Sequence, residues 1–340
     1  LIASLRSSPI AFALRAARVR TPIRTQLHRP DGHWPRPTRT NPPSPQRQSA
    51  TLYTCERGAQ FPSFTRAKEL VAMAQASYYT FTGAFVTLGI ALLAYLWYTL
   101  GQREGAGRYG TFFTVNGAAL LTASMGLRWM ASGRAPYSNQ FEFAVSFAWG
   151  TVATYLYLEQ RFRLRSLGVV VIAIAFAMLG YASLLPNRID PLISALQNSA
   201  MLTTHVAMAI VSYGAFASGF GAGLLYLINR RGNVSFLPAP EVLDEIGHKA
   251  VMVGFPAQAL MLILGAVWAN VAWGAYWSWD PKETAALFTW LIYGVYLHVR
   301  SRHQWRGNAP AWILVAGFGA VLFTFYGNYF LGGLHTYSGL

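Results

Sequence analysis

The chain has 340 residues, of which 54% are hydrophobic and only 11% charged. An average soluble domain carries roughly twice that charge, so the composition excludes an ordinary soluble enzyme and fits a polytopic α-helical membrane protein. The net charge of +15 is no sign of nucleic-acid binding, because residues 1–72 hold 12 Lys/Arg against 3 Asp/Glu and the remaining surplus is spread over loops. Cys55 is the single cysteine, which rules out an internal disulfide and any CxxC chemistry supplied by this chain.

Residues 1–72 are rich in Arg, Pro, Ser and Thr and lack apolar periodicity, so they cannot bury a core. Two origins fit: an organelle transit peptide, or translation from upstream of a true start at Met73, the first methionine. The segment is set aside from fold reasoning, and His28 and His33 with it. Residues 73–340 form the membrane domain. Apolar runs of about 20 residues are long enough to cross a bilayer. They predict eight helices near 78–100, 111–131, 140–158, 166–186, 200–228, 248–271, 284–300 and 310–331, in an all-α fold. Gly214, Gly219, Gly221 and Gly223 lie inside the fifth, as close helix packing in lipid favours.

Short loops on the cytoplasmic side of a membrane carry the excess of Lys and Arg. The loops after helices 1, 3, 5 and 7 contain Arg103, Arg108, Arg161, Arg163, Arg165, Arg230, Arg231, Lys249, Arg300, Arg302 and Arg306. Those after helices 2, 4 and 6 contain only Arg134, Arg188 and Lys282, with Arg128 near a helix end. The odd loops are therefore expected inside. The even loops and both ends of the membrane domain are expected outside.

The stretch between helices 6 and 7 reads WGAYWSWDPKE. Trp273, Trp277 and Trp279 with Tyr276 exceed the one or two aromatics of an interfacial belt, although interface anchoring alone would account for each of them singly. Asp280-Pro281-Lys282-Glu283 is written as a helix start, with an N-cap, a proline at N1 and an acid at N3. Asp280 and Glu283 are therefore assigned first to capping helix 7, and a role of Asp280 at a ligand comes second. Lys282 either pairs with a ligand carboxylate or stays solvated. His205, in the first turns of helix 5, and His335, after helix 8, fall on the same outer side as the tryptophans. His298 ends helix 7 near the inner side. His248 and His303 read as solvated loop residues. An ionisable residue in a membrane helix is a functional candidate, even though a lone one often serves only a helix–helix hydrogen bond. Two histidines beside an aromatic surface at one membrane face match haem, whose iron takes imidazole ligands and whose propionates need cations or N–H donors.

Trp273 to Thr284 resembles the tryptophan-rich WWD signature of haem-handling proteins. The continuation Asp280-Pro281-Lys282-Glu283, with Val267-Trp268-Ala269-Asn270 before it and Tyr296-Leu297-His298-Val299-Arg300 after it, is similar to the CcsA (ResC) family of System II cytochrome c assembly. Arg128-Trp129, Ser132-Gly133, Pro136, Ser138-Asn139 and Glu142 resemble a second family segment, and Gly333-Leu334-His335-Thr336-Tyr337 its terminal histidine motif. The likeness spans Met73 to Leu340. Val271 and Ala285 depart from it, standing where plastid members tend to carry an acid and a tryptophan.

The resemblance implies a haem-handling core in residues 200–340 and transient binding of haem b. It implies axial ligation by His205 and His335 over the tryptophans, and a membrane site at His298 completed by a CcsB (ResB)-type partner. It further implies attachment of the haem to the CxxCH of apocytochromes c, as a haem-lyase-like subunit rather than an enzyme with an assigned catalytic residue. The host would be the thylakoid membrane of a plastid or cyanobacterium, or otherwise a bacterial inner membrane. The alternatives are a haem-delivery protein of the CcmC or CcmF type, a membrane cytochrome b, and a non-haem transporter whose tryptophans line a vestibule. No nucleic acid is expected as a partner.

Overall fold

The computed structural model describes residues 64–189, 196, 199–302, 308–327 and 331–335. The expectations placed on residues 1–63, with His28, His33 and Cys55, and on His303, Thr336 and Tyr337 lie outside the described residues. Within them the chain is all-α. Eight helices follow in order: α1 Phe64–Gly101, α2 Glu104–Ser132, α3 Gln140–Phe162, α4 Leu167–Ser183, α5 Ser199–Ile228, α6 Pro240–Trp273, α7 Pro281–Ser301 and α8 Asn308–Tyr326. Among the described residues, α1, α5, α6 and α8 are long and apolar enough to cross a membrane, and α4 is a shorter apolar helix. Helices α2, α3 and α7 carry charges such as Arg128, Glu142, Glu159 and Lys282.

Several helices begin earlier than apolar runs predict. Helix α1 starts at Phe64 rather than 78, α2 at Glu104 rather than 111, and α6 at Pro240 rather than 248. The added turns hold charged residues (Lys68 and Glu69, Glu104 and Arg108, Glu241 to Glu245), which a hydropathy reading assigns to loops. Backbone hydrogen bonding does not stop where apolar side chains do. His248 therefore sits within α6, not in a loop as the sequence suggested.

Neighbours in sequence pack as hairpins, α1 on α2 and α5 on α6. Helix α5 also packs on α3 and α8, and α8 packs on α7. The α3–α5 crossing is a backbone contact: a Cβ at Gly214 would lie 2.6 Å from the carbonyl oxygen of Gly150. Such approach is open only to glycine, and it seats α5 deep in the bundle. The outer surface is inverted relative to a soluble protein. Leu93, Trp97, Ile263, Phe288, Val295 and Phe323 are all exposed, a scale of apolar exposure that marks a membrane-facing surface. Threonines on α1 return their hydroxyls to the carbonyl one turn back, as Thr87 does to Gly83 at 2.6 Å. Those hydroxyls are then satisfied within the helix, as a lipid environment requires.

Apart from Asp280 at the start of α7, the buried charges among the described residues lie at two junctions. At the α2–α3 turn, Arg128 Nε donates to Glu142 Oε1 at 2.6 Å, and both side chains are almost inaccessible. The same guanidinium reaches the carbonyls of Asn187 and Arg188 at 2.9 and 2.8 Å, pinning the segment after α4. Glu142 Oε2 accepts from the Ser138 N–H at 2.7 Å and its hydroxyl at 2.9 Å, while the Asn139 side chain caps α3 by accepting from the Glu142 N–H. At the opposite ends of these helices Glu159 accepts from the Tyr95 hydroxyl at 2.7 Å and from Thr111, with Arg165 Nε 3.5 Å away. Removing one member of such a pair strands a buried charge. Arg128→Met is expected to destabilise the folded chain by about 3–5 kcal/mol, and Arg128→Met with Glu142→Leu to recover much of the loss. Thermal unfolding in detergent measures both; a double variant no better than the single one contradicts the pairing.

Candidate functional site

The site is built where α3, α5, α6, the start of α7 and the segment after α8 meet. Helix α6 ends at Trp273 because Gly274 adopts φ +78° and its N–H returns to the Asn270 carbonyl at 2.9 Å. The next helix starts at a complete capping box: Asp280 accepts from the Lys282 N–H at 2.9 Å, and Glu283 accepts from the Asp280 N–H at 3.3 Å. Glu283 also accepts from the Ser278 N–H at 2.9 Å and its hydroxyl at 3.2 Å. The tryptophan loop is thus held at both ends by its flanking helices.

Asp280 does more than cap. Its Oδ2 accepts from the Leu334 N–H at 2.6 Å, and its Oδ1 lies 2.8 Å from His335 Nδ1. The approach depends on Gly333, at φ +123°, where any Cβ would run into Asp280 Oδ2. Burial by itself raises the Asp280 carboxyl, but the hydrogen bonds from His335, Lys282 N–H and Leu334 N–H outweigh it and hold the group down at about 2. Burial in turn pushes the His335 imidazole below its ordinary value, against the pull of Asp280. At neutral pH the pair is therefore a neutral imidazole donating Nδ1–H to a carboxylate, not a salt bridge. That leaves Nε2 as the lone-pair nitrogen.

His205 reaches the same arrangement by another route. Its Nδ1 lies 2.8 Å from the Met261 carbonyl on α6, a bond only the Nδ1–H tautomer can donate, so its Nε2 too is left with a lone pair. The ring fits because α6 has a glycine beside it: a Cβ at Gly265 would stand 2.8 Å from His205 Cε1. Both histidines line one cavity of about 140 Å³ together with Trp268, Trp273 and Trp277. Trp268, only 2% exposed, neighbours both, its ring 6.2 Å from His205, nearly parallel to it, and 5.9 Å from His335. Trp273 meets His335 edge-on at 4.9 Å.

Of the residues singled out from sequence, the structure brings together His205, His335, Trp273, Trp277, Lys282 and Glu283 around the cavity, with Asp280 behind His335. Pro281 is the first residue of α7. Trp279 does not line the cavity; it is 70% exposed, at φ +58°, and touches the Trp277 ring edge-on. His298 is exposed in the last turn of α7, about 26 Å along the helix from Pro281 at 1.5 Å per residue. Trp268 and Gly265 were missed as site residues. Met261, Gly265 and Trp268 recur at helical spacing on one face of α6, a pattern present in the helix expected over 248–271 but no different from ordinary helix packing until His205 is seen beside it. Among the described residues no group of three or more His, Cys, Asp and Glu could hold a bare metal ion. The donor set offered is two imidazoles and aromatic walls.

Over residues 137–335 the sequence matches the family described as Cytochrome C assembly protein. It is 33% identical over 285 residues to the cytochrome c biogenesis protein CcsA of Guillardia theta, covering 75% of this chain and 94% of that protein. To CcsA of Prochlorococcus marinus (strain NATL1A) it is 34% identical over 293 residues, covering 75% and 92%. Among solved structures it resembles the cytochrome c haem lyase CcmF with a TM-score of 0.60, over 78% of this chain and 48% of that one; at 16% identity the likeness is one of fold. The chain is thus an integral membrane protein of cytochrome c assembly. Within that class it belongs to the CcsA family of cytochrome c biogenesis proteins.

The seating of His205 has a test independent of ligand. Gly265→Ala is expected to destabilise the chain by about 1–3 kcal/mol, as overpacking does, and adding His205→Ala is expected to relieve most of it. Unfolding midpoints of the three variants in detergent decide the matter: a double variant as unstable as Gly265→Ala shows that the imidazole is not what the methyl displaces.

Proposed function

We propose that this protein binds haem b in the cavity between α3, α5, α6 and the post-α8 segment, presents it at the outer face of its membrane, and takes part in attaching it to apocytochromes c. One observation carries the reading. Two histidines from distant parts of the chain line a single aromatic-walled cavity, each with Nδ1 committed to an oxygen. Fixing the tautomer in this way is how proteins orient imidazole toward a metal, and two such nitrogens suit the axial positions of haem iron. Trp268, Trp273 and Trp277 supply apolar, polarisable faces for the macrocycle.

A void of about 140 Å³ is below the roughly 300 Å³ of an ordinary ligand pocket. Haem entry therefore requires the loop from Gly274 to Trp279 to move outward while the capping box and the Met261–His205 bond stay in place. In this reading all eight helices cross the membrane, with the tryptophan loop and both ends of the membrane domain on the lumenal or periplasmic side, following the distribution of Lys and Arg. The thylakoid membrane of a plastid or cyanobacterium is the favoured host. His298, exposed at the far end of α7, serves as an inner haem ligand, its opposing ligand coming from a CcsB-type partner.

The chain acts by position. A reduced apocytochrome brings its CxxCH to the outer cavity. Each cysteine S–H adds across one vinyl C=C of the haem, forming a C–S and a C–H bond with no atom lost, and the cytochrome's histidine replaces one of His205 and His335 on iron. Holding both reactants in register makes the encounter effectively unimolecular. No residue of this chain is assigned as acid or base.

Purified protein is expected to show the absorbance of bis-histidine haem. His205→Ala and His335→Ala are each expected to lose it, and added imidazole to restore it. Wild type without haem absorbance, or variants indistinguishable from wild type, would falsify the ligand assignment. Co-expression with a CcsB-type partner and an apocytochrome reporter tests attachment: Trp277→Ala is expected to cut covalent haem at least tenfold, and unchanged yield excludes the tryptophan wall from the mechanism.

A further inference from the structure

The rim of the cavity has polar groups that iron ligation and stacking leave unused. Gln140, the first residue of α3, lines the cavity; it is 5% exposed, and its Nε2 has no hydrogen-bond partner among the described residues. A buried amide nitrogen left in this state carries a desolvation cost that an acceptor on a ligand removes. One turn on, Phe143 also lines the cavity, and the Lys282 ammonium lies 5.4 Å from the centre of its ring. Lys282 lines the cavity as well and makes no ion pair among the described residues. A primary amide and an ammonium, from the first turns of α3 and α7, thus share one edge. Both turns also present the positive end of a helix dipole.

The acids nearby do not cancel this edge. Glu283 is occupied by the Ser278 N–H and hydroxyl and by the Asp280 N–H. Asp280 is occupied by the Lys282 and Leu334 N–H groups and by His335. Both carboxylates are thus engaged by the α7 start and the segment after α8, whereas the Gln140 amide nitrogen and the Lys282 ammonium make no hydrogen bond or ion pair among the described residues. Farther along the same stripe of α3, the Ser146 hydroxyl is buried, lines the cavity and also has no partner.

We propose that Gln140 and Lys282 form a carboxylate-binding subsite for the acid arms of a planar, otherwise apolar ligand. The inference rests on the haem reading and adds an orientation to it: the propionate edge is held between the starts of α3 and α7, which turns the opposite, vinyl-bearing edge away from that rim. A charge-assisted hydrogen bond is about twice as strong as a neutral one, so the subsite discriminates acid from ester.

The test is a titration of the purified full chain with iron protoporphyrin and with its dimethyl ester, following tryptophan quenching and haem absorbance. The proteins are wild type, Gln140→Leu, Lys282→Met and the double variant. The quantity read is the acid-to-ester affinity ratio, compared between proteins so that partition into detergent cancels. Wild type is expected to favour the acid by about tenfold or more. Each single variant should reduce the ratio, and the double variant should bring it near one while ester affinity is unchanged. Retained ester binding shows that the variants are folded. A wild-type ratio near one, a ratio that survives in the double variant, or an equal loss for both ligands overturns the subsite and leaves the haem reading standing. Failure of wild type to bind either ligand overturns both.

Discussion

The carboxylate of Asp280 is the joint on which the site depends. It receives the N–H of Lys282 from its own helix, the N–H of Leu334 from 54 residues onward, and the imidazole N–H of His335. A capping residue ordinarily serves one helix end. Here the same group fastens the segment after α8 to the start of α7 and fixes the tautomer of a histidine. Gly333 is required because the oxygen it faces leaves no room for a Cβ. The tryptophan loop runs between this joint and the Gly274 turn, so two helix ends fix its course while ring contacts such as Trp273 on Trp268 and His335 add to them.

His205 is held by different means to the same effect. A carbonyl of α6 takes its Nδ1–H, and a missing side chain at Gly265 admits its ring. That carbonyl lies inside α6, where its second lone pair is open to a donor from α5 packed alongside. The two imidazoles thus reach one cavity through separate supports, and Trp268 neighbours both.

Much of the fold was legible in the sequence because helices in lipid announce themselves by length and apolarity. All eight helices were anticipated in order, and the capping signature at Asp280 to Glu283 fell where α7 begins. The ends of α1, α2 and α6 were not legible, since charged turns continue a helix that hydropathy has already closed. The segment from Arg128 to Glu142 could be matched to a family pattern without its job being apparent. Its arginine pairs with the glutamate and also holds the chain after α4, a contact between elements that no local pattern encodes.

The sequence by itself determined that the chain is a set of largely apolar helices, that Trp273, Trp277 and Trp279 cluster between two of them, and that it resembles the CcsA proteins, because composition, periodicity and motif are properties of neighbours along the chain. Only the tertiary structure decided which tryptophans share a cavity with the histidines. It brought in Trp268 from the body of α6 and left Trp279 outside, since the turn at Gly274 and the left-handed backbone of Trp279 set the directions of those rings. It also decided that Asp280 serves His335 as well as α7, and that Gln140 and Lys282 share one edge. Those pairings join residues far apart in sequence, and helix packing alone sets the distances between them.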